Sequence, residues 1–495
     1  MPGKTITCPY CFKLFDDADV HFRMETTFTE NELDSTGQKR FKSDIESDFN
    51  SNDAERKKIL KEYERREAFV PREDAQYEFF WRDFGGTTEE PSKSRDGALA
   101  VMPYHRPVFN PHAPEHAPYF EQTGIEDDYG MIISATDCFG ANTTRRVCPH
   151  CHNPLPGTYG KHEVEFVSII GITGAGKTVY LSQLCRHFNT YTGKVAITSI
   201  PTTGDARAYI HKNVVAMKTP LPVGSPPERL TQPIFFDMTQ RINGKQNSRT
   251  MVIYDIAGEN CVDPEKMKKF GAFVEHSDGI LILIDPVQFE MTGSYSKAAE
   301  PVEVLNTIYN LFANKNQESV CKIPLAICIS KGDKIAGQII GGNLAQTSYV
   351  RDTGGMYQPL FNAADYNPMQ EKLRYFIQEN DNNLFMHLSN LYNNYNYFLF
   401  SAIGTSTETV NIDGVEFDAP AGPPIPARID EPILWIFHKL GYIKSHGKIN
   451  EPKASEPKEE GWTCTSCGRT GNMGLKCENK KCKRDQLGKK GFLWF

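Results

Sequence analysis

The sequence predicts an α/β fold: a mostly parallel, doubly wound sheet flanked by two small cysteine-rich modules. Three observations carry this. Between about residues 162 and 443, short β-branched apolar runs alternate with stretches of helical apolar spacing, as strands joined by crossover helices do. One junction in that region, Gly171 to Thr178, reads GITGAGKT, a complete G-x-x-x-x-G-K-[ST] phosphate-binding loop. Eight of the thirteen cysteines fall in four C-x(2–4)-C pairs, all outside the alternating region.

The bulk numbers set bounds. The 495 residues suffice for two to four domains, and 39% hydrophobic with 24% charged content is that of a soluble chain. No apolar run reaches 18 residues and no signal peptide opens the chain, so a cytoplasmic protein without a membrane span is expected. The net charge of −7 speaks against a chain that coats nucleic acid along its whole length. In a reducing compartment, paired cysteines at these spacings read as zinc ligands rather than disulfides.

Taken in order, Cys8-Pro9-Tyr10-Cys11 opens the chain, and Cys148-Pro149-His150-Cys151 repeats it. Two such alike knuckles are the natural halves of one Zn²⁺ site. This gives a split ribbon over 1–161 (knuckles 8–11 and 148–151) with residues 12–147 inserted. The insertion holds a charged helix candidate at Ala54–Phe69 and a Pro/His-rich loop at Met102–Tyr119. The α/β domain spans 162–443, with strand candidates at 163–170, 233–238, 250–256, 279–285, 323–330 and 396–402. The runs TMVIYDI and GILILID are apolar almost throughout, as strands buried on both faces are. Residues 444–461 lack apolar periodicity and read as a flexible linker. Residues 462–495 hold the last two cysteine pairs, Cys464/Cys467 and Cys477/Cys482, the ligand set of a second, compact ribbon.

The phosphate loop has the right neighbours. VEFVSII before it is a buried-strand pattern, and TVYLSQLCRHF after it has helical spacing. A strand, a Gly-rich turn and a helix N-terminus aim backbone N–H groups at a phosphate chain. Gly171, Gly174, Ala175, Gly176, Lys177, Thr178 and Val179 are the candidate contacts. Lys177 would reach the β- and γ-phosphates, and the Thr178 hydroxyl would ligate Mg²⁺. Downstream, Asp255-Ile256-Ala257-Gly258 ends a buried strand; Asp255 would hold Mg²⁺ through water, and Gly258 lets the backbone meet a γ-phosphate. Ser330-Lys331-Gly332-Asp333 ends another strand. There Asp333 can accept hydrogen bonds from N1–H and the exocyclic amino group of guanine, a pattern adenine does not offer, while Lys331 packs its stem over the base. At Ser401-Ala402 a backbone N–H can meet the guanine O6. All four motifs stand at strand ends, where open α/β sheets bind ligands.

This ordered set resembles the translation-factor-type and Ras-like GTPases. GAGKTVYLSQL, DIAGE, SDGILILIDP, SKGD and the late EPILWIFHKLG narrow the resemblance to the prokaryotic double-GTPase family. The resemblance implies a P-loop G domain that binds GTP and GDP with Mg²⁺ and hydrolyses GTP. It also implies partner proteins in a multi-component conflict or anti-phage defence system, with zinc ribbons attached. Oligomers are compatible with it.

Two departures bear on turnover. Glu259 stands where Ras-like enzymes place a water-orienting Gln, and its carboxylate would face the charged γ-phosphate. Slow or partner-activated hydrolysis is therefore expected. The switch threonine for Mg²⁺ is assigned to Thr231, ahead of Thr202 and Thr203. The 67 residues between Asp333 and Ser401 exceed what a minimal G domain needs; they hold a helix candidate at Met369–Tyr392 and read as a partner-facing insertion.

The tail is basic: Arg469, Lys476, Lys480, Lys481, Lys483, Arg484, Lys489 and Lys490 stand against Glu478 and Asp485, with Trp462 and Phe492-Leu493-Trp494-Phe495 nearby. That composition suits nucleic-acid contact. The simpler reading is a small lysine-solvated module whose aromatics form a core or dock on protein. Two other functions stay open beside the GTPase switch: a GTP-binding scaffold that does not turn over, and an ATPase remodeller, which SKGD disfavours.

Overall fold

The longest strand-like run after the second cysteine pair becomes the middle of the molecule. The structure is a computed structural model of the 495-residue chain. It describes residues 4–29, 32–33, 42–47, 52–83, 103–127, 130–172, 174–224, 232–242, 244–262, 266, 269, 273–286, 301–313, 316–344, 350–351, 360–450 and 467.

The α/β region runs β1 (Glu163–Gly171), α1 (Lys177–Arg186), α2 (Phe188–Gly193), β2 (Ile197–Pro201), α3 (Gly204–Lys212), β3 (Ile234–Ile242), β4 (Lys245–Ala257), α4 (Gly258–Val262) and β5 (Gly279–Ile284). It continues with α5 (Pro301–Phe312), β6 (Leu325–Ile329), α6 (Ala336–Ile340), α7 (Ala363–Asn380), α8 (Asn382–Leu391), β7 (Tyr395–Leu399), β8 (Thr407–Ile412), β9 (Val415–Pro420) and α9 (Glu431–Lys439). Seven strands form one sheet in the order β2-β3-β4-β1-β5-β6-β7. β4, β1, β5, β6 and β7 are mutually parallel; β3 runs antiparallel to β4, and the edge strand β2, antiparallel to β3, points the same way as the parallel strands. The fold is thus mixed α/β with a large, mostly parallel sheet. Strands succeed one another outward on both sides of β1, so the crevice at its carboxyl end is the topological switch point.

Side-chain alternation explains why the central runs are apolar throughout. Every residue of β5 is buried. Ile280, Ile282 and Ile284 enter one hydrophobic layer, with Val304, Leu305 and Ile308 of α5. Leu281 and Leu283 enter the other, with Leu181 and Leu184 of α1 and Ile433 to Phe437 of α9. Alternate residues face opposite layers, so no polar position is available. Each such side chain contributes about 1.5–3 kcal/mol by leaving water.

The N-terminal knuckles share the first of these layers. Cys8, Tyr10, Phe12, Cys148 and Cys151 belong to the same buried cluster as Phe166 and Tyr254 of the sheet. Phe12 stacks on His276 (ring centroids 4.7 Å apart, planes at 4°) and meets Phe166, Tyr254 and Phe273 edge-on or tilted. Thr158 Oγ1 donates to Asp237 Oδ2 at 2.6 Å, and Tyr159 Oη donates to the Thr7 carbonyl at 2.8 Å. The inserted region folds around the second knuckle. Its helices Asp53–Glu67 and Ala75–Asp83 bracket Asp74, whose carboxylate meets Arg23 Nη2 at 2.8 Å and His152 Nδ1 at 2.9 Å. Trp81 Nε1 donates to Asn153 Oδ1 at 2.9 Å.

Several expected bounds move. The helix expected at Met369–Tyr392 is two helices, α7 and α8. They break at Asp381, which takes φ −146° and accepts from Leu384 N to cap α8. The last strand ends at Leu399 rather than 402. Residues expected to begin a linker at 444 are held instead. Ser445–His446 pairs in parallel with Leu360–Asn362, and Asn450 N donates to Asn367 Oδ1 at 2.9 Å. Edge strand β2 and the β8–β9 hairpin were not anticipated. No described helix is long and apolar enough to cross a membrane.

Candidate functional site

The phosphate loop leaves β1 at Gly171 and enters α1 at Lys177. Gly174 and Gly176 take φ +82° and +72°, values a side chain rarely adopts, so these two positions need glycine. With Gly176 as the N-cap, Lys177, Thr178 and Val179 form the first helical turn, and its N–H groups face the loop. Ala175 is buried and its N–H donates to the Ile172 carbonyl at 2.9 Å, which fixes the curl. Thr173 lies outside the described residues.

β4 runs beside β1 in register, with Ala257 opposite Gly171, so Asp255 and Gly258 arrive next to the loop. Lys177 Nζ lies 2.7 Å from Asp255 Oδ1, both largely buried. The residues expected to meet the phosphates and the metal thus share one small volume. A Cβ on Gly258 would sit 2.9 Å from the Gly171 carbonyl oxygen. Only glycine lets the backbone after β4 come this close to the loop. Glu259 opens the first turn of α4.

The two loops expected to read a base meet on the other side. Gly332 N donates to the Phe400 carbonyl at 2.8 Å, joining the turn after β6 to the turn after β7. Across that junction the Ser401 hydroxyl donates to Asp333 Oδ1 and accepts from Gly404 N at 2.9 Å. The carboxylate is thereby oriented, with acceptor capacity left for a base edge. Of the two backbone N–H groups at Ser401-Ala402, that of Ser401 donates to the Ala427 carbonyl at 3.0 Å. The Ala402 carbonyl accepts from Gln183 Nε2 of α1 at 3.2 Å, so the helix below the phosphate loop also steadies the base loop.

Asp285 was missed. It follows β5 directly, is buried, and holds Lys331 Nζ at 2.6 Å. Its Oδ2 lies 3.6 Å from where a Gly174 Cβ would be, so it stands between the phosphate and base loops. The signal was an acidic residue closing a wholly apolar strand. Lys331 itself takes φ +50°, a strained turn for a lysine, consistent with a held side chain.

Of the threonines weighed for the metal, Thr231 lies outside the described residues. Thr203 Oγ1 accepts from Ala206 N at 3.0 Å as the N-cap of α3, and Thr202 Oγ1 is buried without a hydrogen-bond partner among the described residues. The segment ahead of Thr231 does reach the site: a Cβ on Gly224 would lie 3.1 Å from Thr178 Oγ1.

The N-terminal cysteines converge. The four sulfurs of Cys8, Cys11, Cys148 and Cys151 lie within 4.8 Å of one another. Cys8 and Cys151 are 3.7 Å apart, and Cys11 and Cys148 3.8 Å. A tetrahedral ion with bonds of about 2.3 Å needs sulfurs about 3.8 Å apart, so the set fits Zn²⁺. The two knuckles are near copies: Phe12 and His152, each just past its second cysteine, take φ +53° and +51°. Each returns its N–H to the carbonyl of Cys8 or Cys148, at 3.1 and 3.0 Å. Backbone N–H groups of Tyr10 and His150 point at the sulfurs of Cys8 and Cys148. Hydrogen bonds from Cys148, Cys151 and Cys8 hold the Cys11 thiol far below the usual range, while burial pushes Cys8 up. Of the tail's Cys464, Cys467, Cys477 and Cys482, only Cys467 lies among the described residues.

No curated protein matches the sequence. Residues 165–354 match the family described as Double-GTPase 2. That stretch contains the phosphate loop, Asp255 to Glu259, and Ser330 to Asp333; Ser401 and the cysteine knuckles fall outside it. Over residues 165–354, this chain is thus similar to the double-GTPase family.

Proposed function

We propose that the chain is a GTP-binding switch that hydrolyses GTP slowly by itself and faster with a partner. The observation that carries this is the convergence at one sheet edge of Lys177 beside Asp255 and of Asp333 oriented by Ser401. A phosphate-binding cation and a guanine-reading carboxylate are both present, one on each side of the switch point.

Lys177 and the N–H groups of the first turn of α1 would bind the phosphates, with Thr178 and Asp255 holding Mg²⁺. When bound, Mg²⁺ would supply charge neutralisation on the β- and γ-phosphate oxygens. The Lys177–Asp255 pair must then open, and Lys177 turns from the carboxylate to the nucleotide. Gly258 would sense the γ-phosphate through its N–H, and α4 would carry that state outward. Water attacks the γ-phosphorus and the β–γ bond breaks, giving GDP and phosphate. Glu259 is a poor group to orient that water, since its carboxylate is repelled by the phosphate it faces. That favours a missing element supplied in trans, and the same observation supports a second reading, a GTP-binding scaffold without turnover. The zinc ribbons would be structural. The family resemblance extends the proposal to partner proteins of an anti-phage system.

Single-turnover assays on the zinc-loaded chain, with and without the products of neighbouring genes, test this. Slow release of phosphate, accelerated by one such product, is expected. Lys177→Ala should abolish nucleotide binding and protection against phage together, whereas Glu259→Ala should spare binding. Rapid turnover by the isolated monomer would contradict the partner-dependent switch. No turnover with any partner would favour the scaffold.

A further inference from the structure

Ile425-Pro426-Ala427-Arg428 lies as a short strap across the turn after β7, Ser401 to Gly404. Ala427 N donates to the Ser401 carbonyl at 2.8 Å, and Ser401 N donates back to the Ala427 carbonyl at 3.0 Å, an antiparallel bridge. Two residues along, Ile425 N donates to the Ile403 carbonyl at 2.7 Å. Pro426 stands between these two donors, where an N–H would point away from the turn. The one residue without a donor thus occupies the one place that needs none. The approach is close: a Cβ on Gly404 would sit 1.9 Å from the Ile425 carbonyl oxygen, and Gly404 takes φ +67°. Only glycine is tolerated there.

The strap is anchored at its far end by Arg428. This residue takes φ +60°, a conformation that a side chain disfavours, at the point where the strap turns into α9. What holds it is an ion pair, Arg428 Nε to Glu431 Oε2 at 3.1 Å, with both side chains almost wholly excluded from water. Neither group can exchange its partner for solvent, so the turn is fixed. Glu431 is the first residue of α9, and Ile433 to Phe437 behind it belong to the hydrophobic core. The anchor is therefore set in the core and not in a surface loop.

We propose that Arg428 is a positioning residue for base selection: its pair with Glu431 fixes the strap, the strap fixes Ser401, and the Ser401 hydroxyl aims the Asp333 carboxylate. The last link is the hydrogen bond from Ser401 Oγ to Asp333 Oδ1. The inference rests on the reading of Asp333 as the acceptor for the guanine edge, and it names what sets the aim of that acceptor.

The test is equilibrium competition between GTP and inosine triphosphate, which lacks only the exocyclic amino group, on the full, zinc-loaded chain with Mg²⁺. The native chain should prefer GTP by about tenfold, the worth of one hydrogen bond to a charged acceptor. Arg428→Met combined with Glu431→Gln removes both charges together, so neither is left buried alone. In that variant the preference should fall at least about threefold, while affinity for inosine triphosphate stays within about twofold of native. A merely structural role would weaken both nucleotides alike and leave their ratio unchanged. Circular dichroism establishes that the variant is folded. Glu431→Gln alone, which keeps an uncharged acceptor for Arg428, decides by the same ratio if the double variant is not. A native preference that survives intact in the folded variant overturns the role of Arg428 and leaves the guanine site standing. A native chain that does not distinguish GTP from inosine triphosphate or ATP removes the reading of Asp333, and this inference with it.

Discussion

The Tyr254 hydroxyl donates to the Pro9 carbonyl at 2.8 Å, which ties the first cysteine knuckle to the strand residue next to Asp255. Phe12, just past that knuckle, stacks on His276 and meets Phe273, beyond the Asp255-to-Glu259 turn. The N-terminal cysteine set is thus built into the wall behind the candidate nucleotide site.

Metal loss should therefore reach the nucleotide. Cys148→Ser is expected to cost more than about 4 kcal/mol, the range kept for lost metals and broken buried networks. It should weaken GTP binding as well as lower the melting temperature. Cys464→Ser should leave both nearly unchanged. Elemental analysis of the native chain should give about two zinc ions, one per four-cysteine set. Near-zero zinc, with oxidised thiols, would refute the assignment.

Asp278 makes the stability pH-dependent. Burial pushes its carboxyl up to about 6, with Glu165 nearby adding to the shift, although it accepts from Phe166 N at 2.8 Å. A raised folded value means the contribution is whole at low pH, below the unfolded value of 3.8, and is lost as pH rises through 6. Asp278→Asn should melt above the native chain near about pH 8, and the gap should close toward about pH 4. A constant gap across that range would show that ionisation of Asp278 is not involved.

Asp285 should matter for affinity without touching the phosphates. Asp285→Asn frees Lys331 from its 2.6 Å partner. Loss of about 1 kcal/mol from this ion pair, whose carboxylate is buried and whose lysine is partly exposed, corresponds to about fivefold weaker GTP binding. Calorimetry would read this directly, and unchanged affinity would reduce the pair to a surface contact.

Much of the sheet was legible because burial on both faces leaves nothing but apolar residues, as in Ile280–Ile284, and because each motif closes such a run. Edge strand β2 was not, since Ile197, Thr198, Ser199 and Ile200 carry no run that distinguishes them from a loop; pairing with β3 makes the strand. Asp381 broke the expected long helix by capping, a local event inside a continuous helical pattern. The candidate phosphate and base residues follow from the order of the motifs along the chain. Their cross-links, Lys177 to Asp255, Lys331 to Asp285 and Ser401 to Asp333, join residues 46 to 78 positions apart, and only the topology brings them together. The two cysteine knuckles were legible as a pair because their sequences match, despite the insertion between them.

The central claim is a guanine-nucleotide site read by Asp333. The most direct test is equilibrium competition among GTP, GDP and ATP on the native chain with Mg²⁺, repeated with Asp333→Asn and xanthosine triphosphate. Two charge-assisted hydrogen bonds are worth a discrimination of about 10² or more. The account predicts GTP and GDP bound at least that much more tightly than ATP, with preference moving to the xanthine nucleotide in Asp333→Asn. Equal affinity for ATP and GTP in the native chain would contradict it.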